Sequence, residues 1–133
     1  EVSGVTLTMT QAVHSGSIDE GGRIIYLGGA AGFVIRAPGT PTIYFAGDTG
    51  LFGDMKIIGE IYKPEIAFLP IGDHFTMGPE DAARACGLLG VRQVVPMHYG
   101  TFPQLTGTPA ALRALVEPQG IRVLELKPGE TAA

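Results

Sequence analysis

The chain has 133 residues, 45% of them hydrophobic and 17% charged, which suits one domain with a modest core and excludes a disordered segment. A net charge of -4 with no cluster of Lys or Arg lacks the electrostatic footprint of a nucleic-acid binder. One cysteine excludes an internal disulfide framework, and no apolar run is long enough to cross a bilayer, so a cytoplasmic setting is the expectation. The low charge fraction also leaves room for apolar surface meant for another subunit or segment.

Residues 5 to 13 alternate, with Val5, Leu7, Met9 and Gln11 on one side and Thr6, Thr8 and Thr10 on the other, which predicts a strand. Residues 15 to 22 read as a polar loop. Short strands are predicted over residues 23 to 27 and 32 to 37, joined by Gly28-Gly29-Ala30-Ala31-Gly32. That link lacks the spacing of a phosphate-binding fingerprint and no helix follows it, so a hairpin or bulged connection is expected.

After the turn at Pro38-Gly39-Thr40-Pro41, residues 42 to 46 form a buried-type strand that leads into Gly47-Asp48-Thr49-Gly50. Phe52, Met55, Ile58, Ile61 and Tyr62 recur at helical spacing, and Pro64 ends that helix. Residues 66 to 71 are the most apolar run and predict a central strand, followed by Gly72-Asp73-His74-Phe75.

Pro79 opens a second helix with Glu80 and Asp81 in its first turn, favourable to the helix dipole. Cys86, among Ala82, Ala85 and Leu89, reads as a small buried hydrophobe. Residues 93 to 97 form a strand ending at His98. Thr108-Pro109 caps a third helix through Leu112, Leu115 and Val116, and residues 121 to 126 form a last strand. The order is strands first, then alternating strands and helices, an α/β layer with a strand-rich beginning.

Three residues with metal-ligand chemistry stand where strands end: His14, Asp48 and His98. Strand ends are where layered sheets aim side chains into clefts. Imidazole and carboxylate lone pairs are available near neutral pH and suit zinc, manganese or iron. Asp48 can bridge two cations, and Gly47 and Gly50 let the backbone turn sharply beside it. Each residue also has an ordinary reading: a hydrogen-bonded loop histidine, an Asx-turn, a histidine packed on Tyr99. Their ordered recurrence at strand ends favours a common site. His74 and Asp73 follow the central strand on the same sheet edge, placed to shuttle a proton, bind substrate or orient a ligand.

The segments Ala12-Val13-His14-Ser15, Tyr44-Phe45-Ala46-Gly47-Asp48-Thr49-Gly50-Leu51-Phe52-Gly53-Asp54-Met55, Leu69-Pro70-Ile71-Gly72-Asp73-His74-Phe75-Thr76-Met77-Gly78-Pro79 and Pro96-Met97-His98-Tyr99-Gly100-Thr101-Phe102-Pro103 resemble the metal-dependent hydrolases of the metallo-β-lactamase superfamily. The nearest group is an uncharacterised branch similar to the ascorbate-phosphate lactonase relatives. The resemblance implies a four-layer αβ/βα sandwich of two similar halves with a two-metal site between them. It matches His14 to the histidine completing the first metal site, Asp48 to the bridging aspartate, and His98 to the late histidine of the second site.

The superfamily's His-x-His-x-Asp-His cluster has no counterpart here. By resemblance, residues 1 to 133 form a single half-domain, the C-terminal half of such an enzyme, and the opening Glu1-Val2-Ser3-Gly4-Val5 fits a truncated or processed product. The implied activity is hydrolysis of an ester, lactone, amide or phosphodiester through metal-bound hydroxide. Asp48, His74 and Asp73 would be catalytic, and His14, Asp48 and His98 would be metal ligands. The cofactors would be divalent metals, two per complete site: zinc or manganese, with iron a third option. The partners would be a small-molecule substrate and an N-terminal half carrying the missing cluster, without which the chain should be inactive. A homo-oligomer is compatible with the same surface; nucleic acid and membrane are not expected partners. The competing expectation is a non-catalytic α/β module that binds a partner or assembles with copies of itself.

Overall fold

The computed structural model describes residues 1–131. In chain order the elements are β1 (Thr6–Gln11), β2 (Ser17–Glu20), β3 (Arg23–Tyr26), β4 (Ala31–Arg36), β5 (Ile43–Phe45), α1 (Met55–Tyr62), β6 (Ile66–Pro70), α2 (Pro79–Leu89), β7 (Gln93–Met97), α3 (Pro109–Val116), a 3₁₀ turn at Glu117–Gln119, and β8 (Arg122–Val123). Among the described residues, six strands form the main sheet in the order β1-β4-β5-β6-β7-β8, while β2 and β3 pair only with each other. β4 is antiparallel to both β1 and β5, and β5 through β8 are parallel. It follows that β1, β5, β6 and β7 run the same way. Their carboxyl ends, with His14, Asp48, Asp73 to His74, and His98 just beyond, share one edge of the sheet.

The helices cover one face. Val34, Tyr44, Ala67 and Val94 lie side by side across the register and are fully buried. They belong to one core with Met55, Ile58, Cys86, Leu89, Leu112 and Val116 of the helices. The opposite face is also apolar: Met9, Phe33, Phe45, Phe68 and Val95 stand in one cross-strand row. Met9 is 72% exposed and Phe33 and Phe45 are 37% and 38% exposed. The Phe45 and Phe68 rings stack in a tilted pair with centroids 5.7 Å apart. A sheet face this apolar is normally covered by a second layer.

The helix signals act as their chemistry requires. Thr108 is extended, and its hydroxyl accepts a hydrogen bond from the Ala111 N–H at 3.2 Å, satisfying one of the free donors of the first turn of α3. Thr108→Ala should therefore lower stability by about 1 kcal/mol in denaturant titration, with an unchanged slope. Cys86 is fully buried on α2, and burial pushes its thiol up to about 12. A disulfide reagent should leave Cys86 unmodified in the folded protein and titrate it fully in guanidinium.

Three expectations are corrected. Residues 17 to 20 are not loop but strand β2, paired with β3 through a tight turn at Gly21-Gly22, where both φ angles are positive. That is the two-residue hairpin turn that follows the natural strand twist, and the Asp19 carboxylate accepts the Gly22 N–H at 2.6 Å. The Gly28–Gly32 link therefore does not close a hairpin: it takes the chain from β3 back to the main sheet, where β4 pairs with β1. The last strand is shorter than residues 121 to 126, because ladder pairing with β7 covers only Arg122 and Val123.

Candidate metal centre

Each parallel strand ends in a loop whose backbone is bent to suit. After β5, Gly47 adopts φ 67°, and a side chain there would drive into the Ala31 carbonyl, so the strand can approach β4 only as glycine. Asp48 follows with its carboxylate half-exposed. After β7, His98 has φ 54°, and after β6, Asp73 and His74 have φ 68° and 60°. Non-glycine residues adopt this left-handed conformation at a cost on the order of 1 kcal/mol each. Their concentration at one sheet edge is the pattern of a functional site.

Asp48 and His98 come together: His98 Nε2 lies 3.6 Å from Asp48 Oδ2. Two donors each about 2.1 Å from one tetrahedral zinc ion stand about 3.4 Å apart, so the separation suits a shared cation better than a direct hydrogen bond. The other imidazole nitrogen, Nδ1, is buried and makes no hydrogen bond among the described residues. A nitrogen and a carboxylate oxygen facing one another at this distance fit part of a divalent-metal site.

His14 lies on the same edge, with its Nδ1 2.9 Å from the Ser15 carbonyl. The Val13 carbonyl just before it accepts the Gly50 N–H at 2.9 Å, which ties its loop to that of Asp48. Among the described residues, no three His, Cys, Asp or Glu side chains are gathered closely enough to hold an ion. His98 with Asp48 is thus the pair this chain brings together.

The Asp73–His74 loop is held by its own backbone. The Asp73 N–H donates to the Met77 carbonyl at 3.0 Å, and Asp73 Oδ1 accepts the His74 N–H at 2.8 Å. The His74 ring is exposed and meets Phe75 edge-on at 4.2 Å between centroids. Gly72 packs directly on the His98 carbonyl, where a Cβ would overlap it, and this close approach sets β6 against β7 at the site. Sequence reasoning missed that contact, because a glycine's neighbour across the sheet has no local signature.

A cavity of about 690 Å³ sits between α1 and α2, lined by Lys56, Lys63, Glu65 and Arg92 and not by Asp48 or His98.

A family model for the β-lactamase superfamily domain matches residues 1–99. The chain belongs to the β-lactamase superfamily. A protein from Solibacter usitatus named UPF0173 metal-dependent hydrolase is 52% identical over 130 residues, 98% of this chain and 56% of that protein. A Chloroflexus aurantiacus protein of the same name is also 52% identical, over 99% of this chain and 55% of its own length. The chain thus spans about half the length of the curated relatives it matches.

Among solved structures, a metallo hydrolase from the hyperthermophilic archaeon Ignicoccus hospitalis superposes with a TM-score of 0.83 at 40% identity, covering 98% of this chain and 53% of that one. An isothiocyanate hydrolase from Delia radicum gut bacteria superposes with a TM-score of 0.75 at 28% identity, covering all of this chain and 56% of that one. The mixed α/β architecture expected from the sequence is the one these two structures share with this chain. No helix among the described residues is long and apolar enough to cross a membrane.

Proposed function

We propose that the protein is a metal-dependent hydrolase in which these residues form the C-terminal half of a two-part fold, with Asp48 and His98 among the metal ligands. The observation that carries this reading is the 3.6 Å approach of His98 Nε2 to Asp48 Oδ2 at the carboxyl edge of the parallel strands. Relatives named metal-dependent hydrolases support it, as does the apolar sheet face left open opposite the helices. Phe33, Phe45, Phe68 and Val95 on that face are of the kind a second sheet covers in a sandwich. The second part would supply the remaining ligands, including a His-x-His-x-Asp-His cluster, with His14 completing one of the two metal positions.

When bound, a divalent cation supplies Lewis-acid polarisation of the scissile bond and acidifies water near neutral pH. The chain's own residues do the rest. Asp48 has two carboxylate oxygens and can serve two cations at once. His98 presents Nε2 towards the same place. His74, exposed at the rim, can accept a proton from water or return one to a leaving group, and Asp73 fixes the turn that carries it. Esters, lactones, amides and phosphodiesters fit this chemistry. The isothiocyanate hydrolase neighbour adds another electrophilic carbon that water can attack.

The test uses the complete two-part protein. Exhaustive chelation should abolish turnover of a panel of ester, lactone and phosphodiester substrates, and zinc or manganese should restore it. Turnover that survives complete metal removal would overturn the proposal.

A further inference from the structure

We propose that Thr49 is a positioning residue of the candidate centre: its buried hydroxyl ties the loop carrying His14 to the loop of Asp48, while its backbone carbonyl meets the segment that closes the Asp73–His74 turn. As a metal-centre device it rests on the hydrolase reading above; as a clamp between loops it stands on hydrogen bonds alone.

Thr49 is the buried polar residue of this chain among those described, with no exposed surface, and it sits directly after Asp48. Its hydroxyl accepts the Val13 N–H at 2.9 Å and donates to the Gly50 carbonyl at 2.8 Å. The Gly50 N–H returns a bond to the Val13 carbonyl at 2.9 Å. Both backbone groups of Val13, the residue before His14, are therefore held by the Thr49–Gly50 pair. On its other side, the Thr49 carbonyl accepts the Met77 N–H at 3.0 Å, and the Met77 carbonyl accepts the Asp73 N–H at 3.0 Å. One residue thus links the ends of three strands, β1, β5 and β6, that are far apart in the chain.

A hydroxyl is needed for this, not merely a side chain of that size. Valine has the same shape, but it would take from the Val13 N–H its acceptor in a part-buried place and from the Gly50 carbonyl its donor. The expected response is a shift of the β1 end away from Asp48. Groups that orient metal ligands from behind typically change metal affinity by about 10–100-fold when removed.

Zinc titration of the complete two-part protein, followed by nuclear magnetic resonance at the His14 and His98 imidazoles, tests the proposal beside amide exchange at Val13, with Met77 as the internal control. Thr49→Val should weaken zinc binding at His98 by about 10–100-fold and speed exchange at Val13 while leaving Met77, whose acceptor is the backbone carbonyl of Thr49, near its parental rate, and Thr49→Ser, which keeps the hydroxyl, should restore both affinity and exchange. If Thr49→Val folds too poorly to titrate, Thr49→Ala gives the same comparison without placing a methyl group where the hydroxyl was. Zinc affinity and exchange that stay at wild-type values in the hydroxyl-free variant overturn the proposal, as does a Thr49→Ser variant as impaired as Thr49→Val. Zinc that moves neither imidazole in the unsubstituted complete protein overturns the metal reading instead, and the exchange arm alone then decides the clamp.

Discussion

Replacing Asp48 by alanine is expected to cut kcat/KM of the complete protein by about a thousandfold or more, on the order of 4 kcal/mol of transition-state stabilisation, while leaving the melting temperature nearly unchanged. The two halves of this expectation come from the same geometry. Asp48 faces His98 across 3.6 Å, so on the proposed reading its removal would take away the carboxylate that shares a cation with the imidazole. The carboxylate is half-exposed and the imidazole about a third exposed, so as an ion pair the two contribute little to folding. Asp48→Asn keeps the shape and one good acceptor, and should fall between alanine and the parent. Steady-state kinetics with metal analysis and calorimetry on the same samples check all three quantities. Asp48→Ala enzyme with parental turnover and metal content would remove Asp48 from the centre.

Gly72→Ala is expected to lower stability by about 2–4 kcal/mol, or the melting temperature by roughly 10 °C. Gly72 closes β6 against the carbonyl of His98, and a Cβ there would sit on that backbone oxygen. Backbone cannot step aside as a flexible side chain can, so either β6 and β7 separate at their carboxyl ends or His98 moves. Gly53 is the control: its Cβ position is open and its φ is not in the left-handed region, so Gly53→Ala should be neutral within a few tenths of a kcal/mol. Thermal unfolding of the pair decides the matter. A Gly72→Ala protein as stable as Gly53→Ala would mean that the sheet edge yields more easily than close packing allows.

Different parts of the fold were legible in the sequence for different reasons. α2 and α3 were readable because their stop and start signals are local chemistry: Pro79 at a first turn with Glu80 and Asp81, and Thr108 before Pro109. β6 was readable because a strand buried in the middle of a parallel sheet needs an unbroken apolar run. β3 was predicted, but β2 and its pairing with β3 were missed because all of β2 is exposed, so no buried side marks it. Its one signal was Gly21-Gly22, two residues between two extended segments, which polar neighbours disguised as loop. β1 was visible by alternation, yet its Leu7 and Met9 point to the open face instead of the helical core. Periodicity reports that one side is apolar and is silent on what covers it.

The amino-acid order by itself marked the helices and every strand but β2, because caps, prolines and apolar runs act over a few residues. It also determined that His14, Asp48, Asp73, His74 and His98 would follow strands. What it could not set was distance. That His98 and Asp48 meet at 3.6 Å depends on the pairing of β5 with β6 and of β6 with β7, and on a glycine thin enough to let β6 close on His98. The clamp at Thr49 likewise exists only because hydrogen bonds to Val13 and Met77 join residues 36 and 28 positions away along the chain. Such contacts form when non-local strands pair, and pairing is decided by the burial of a whole sheet face, which no short window of sequence contains.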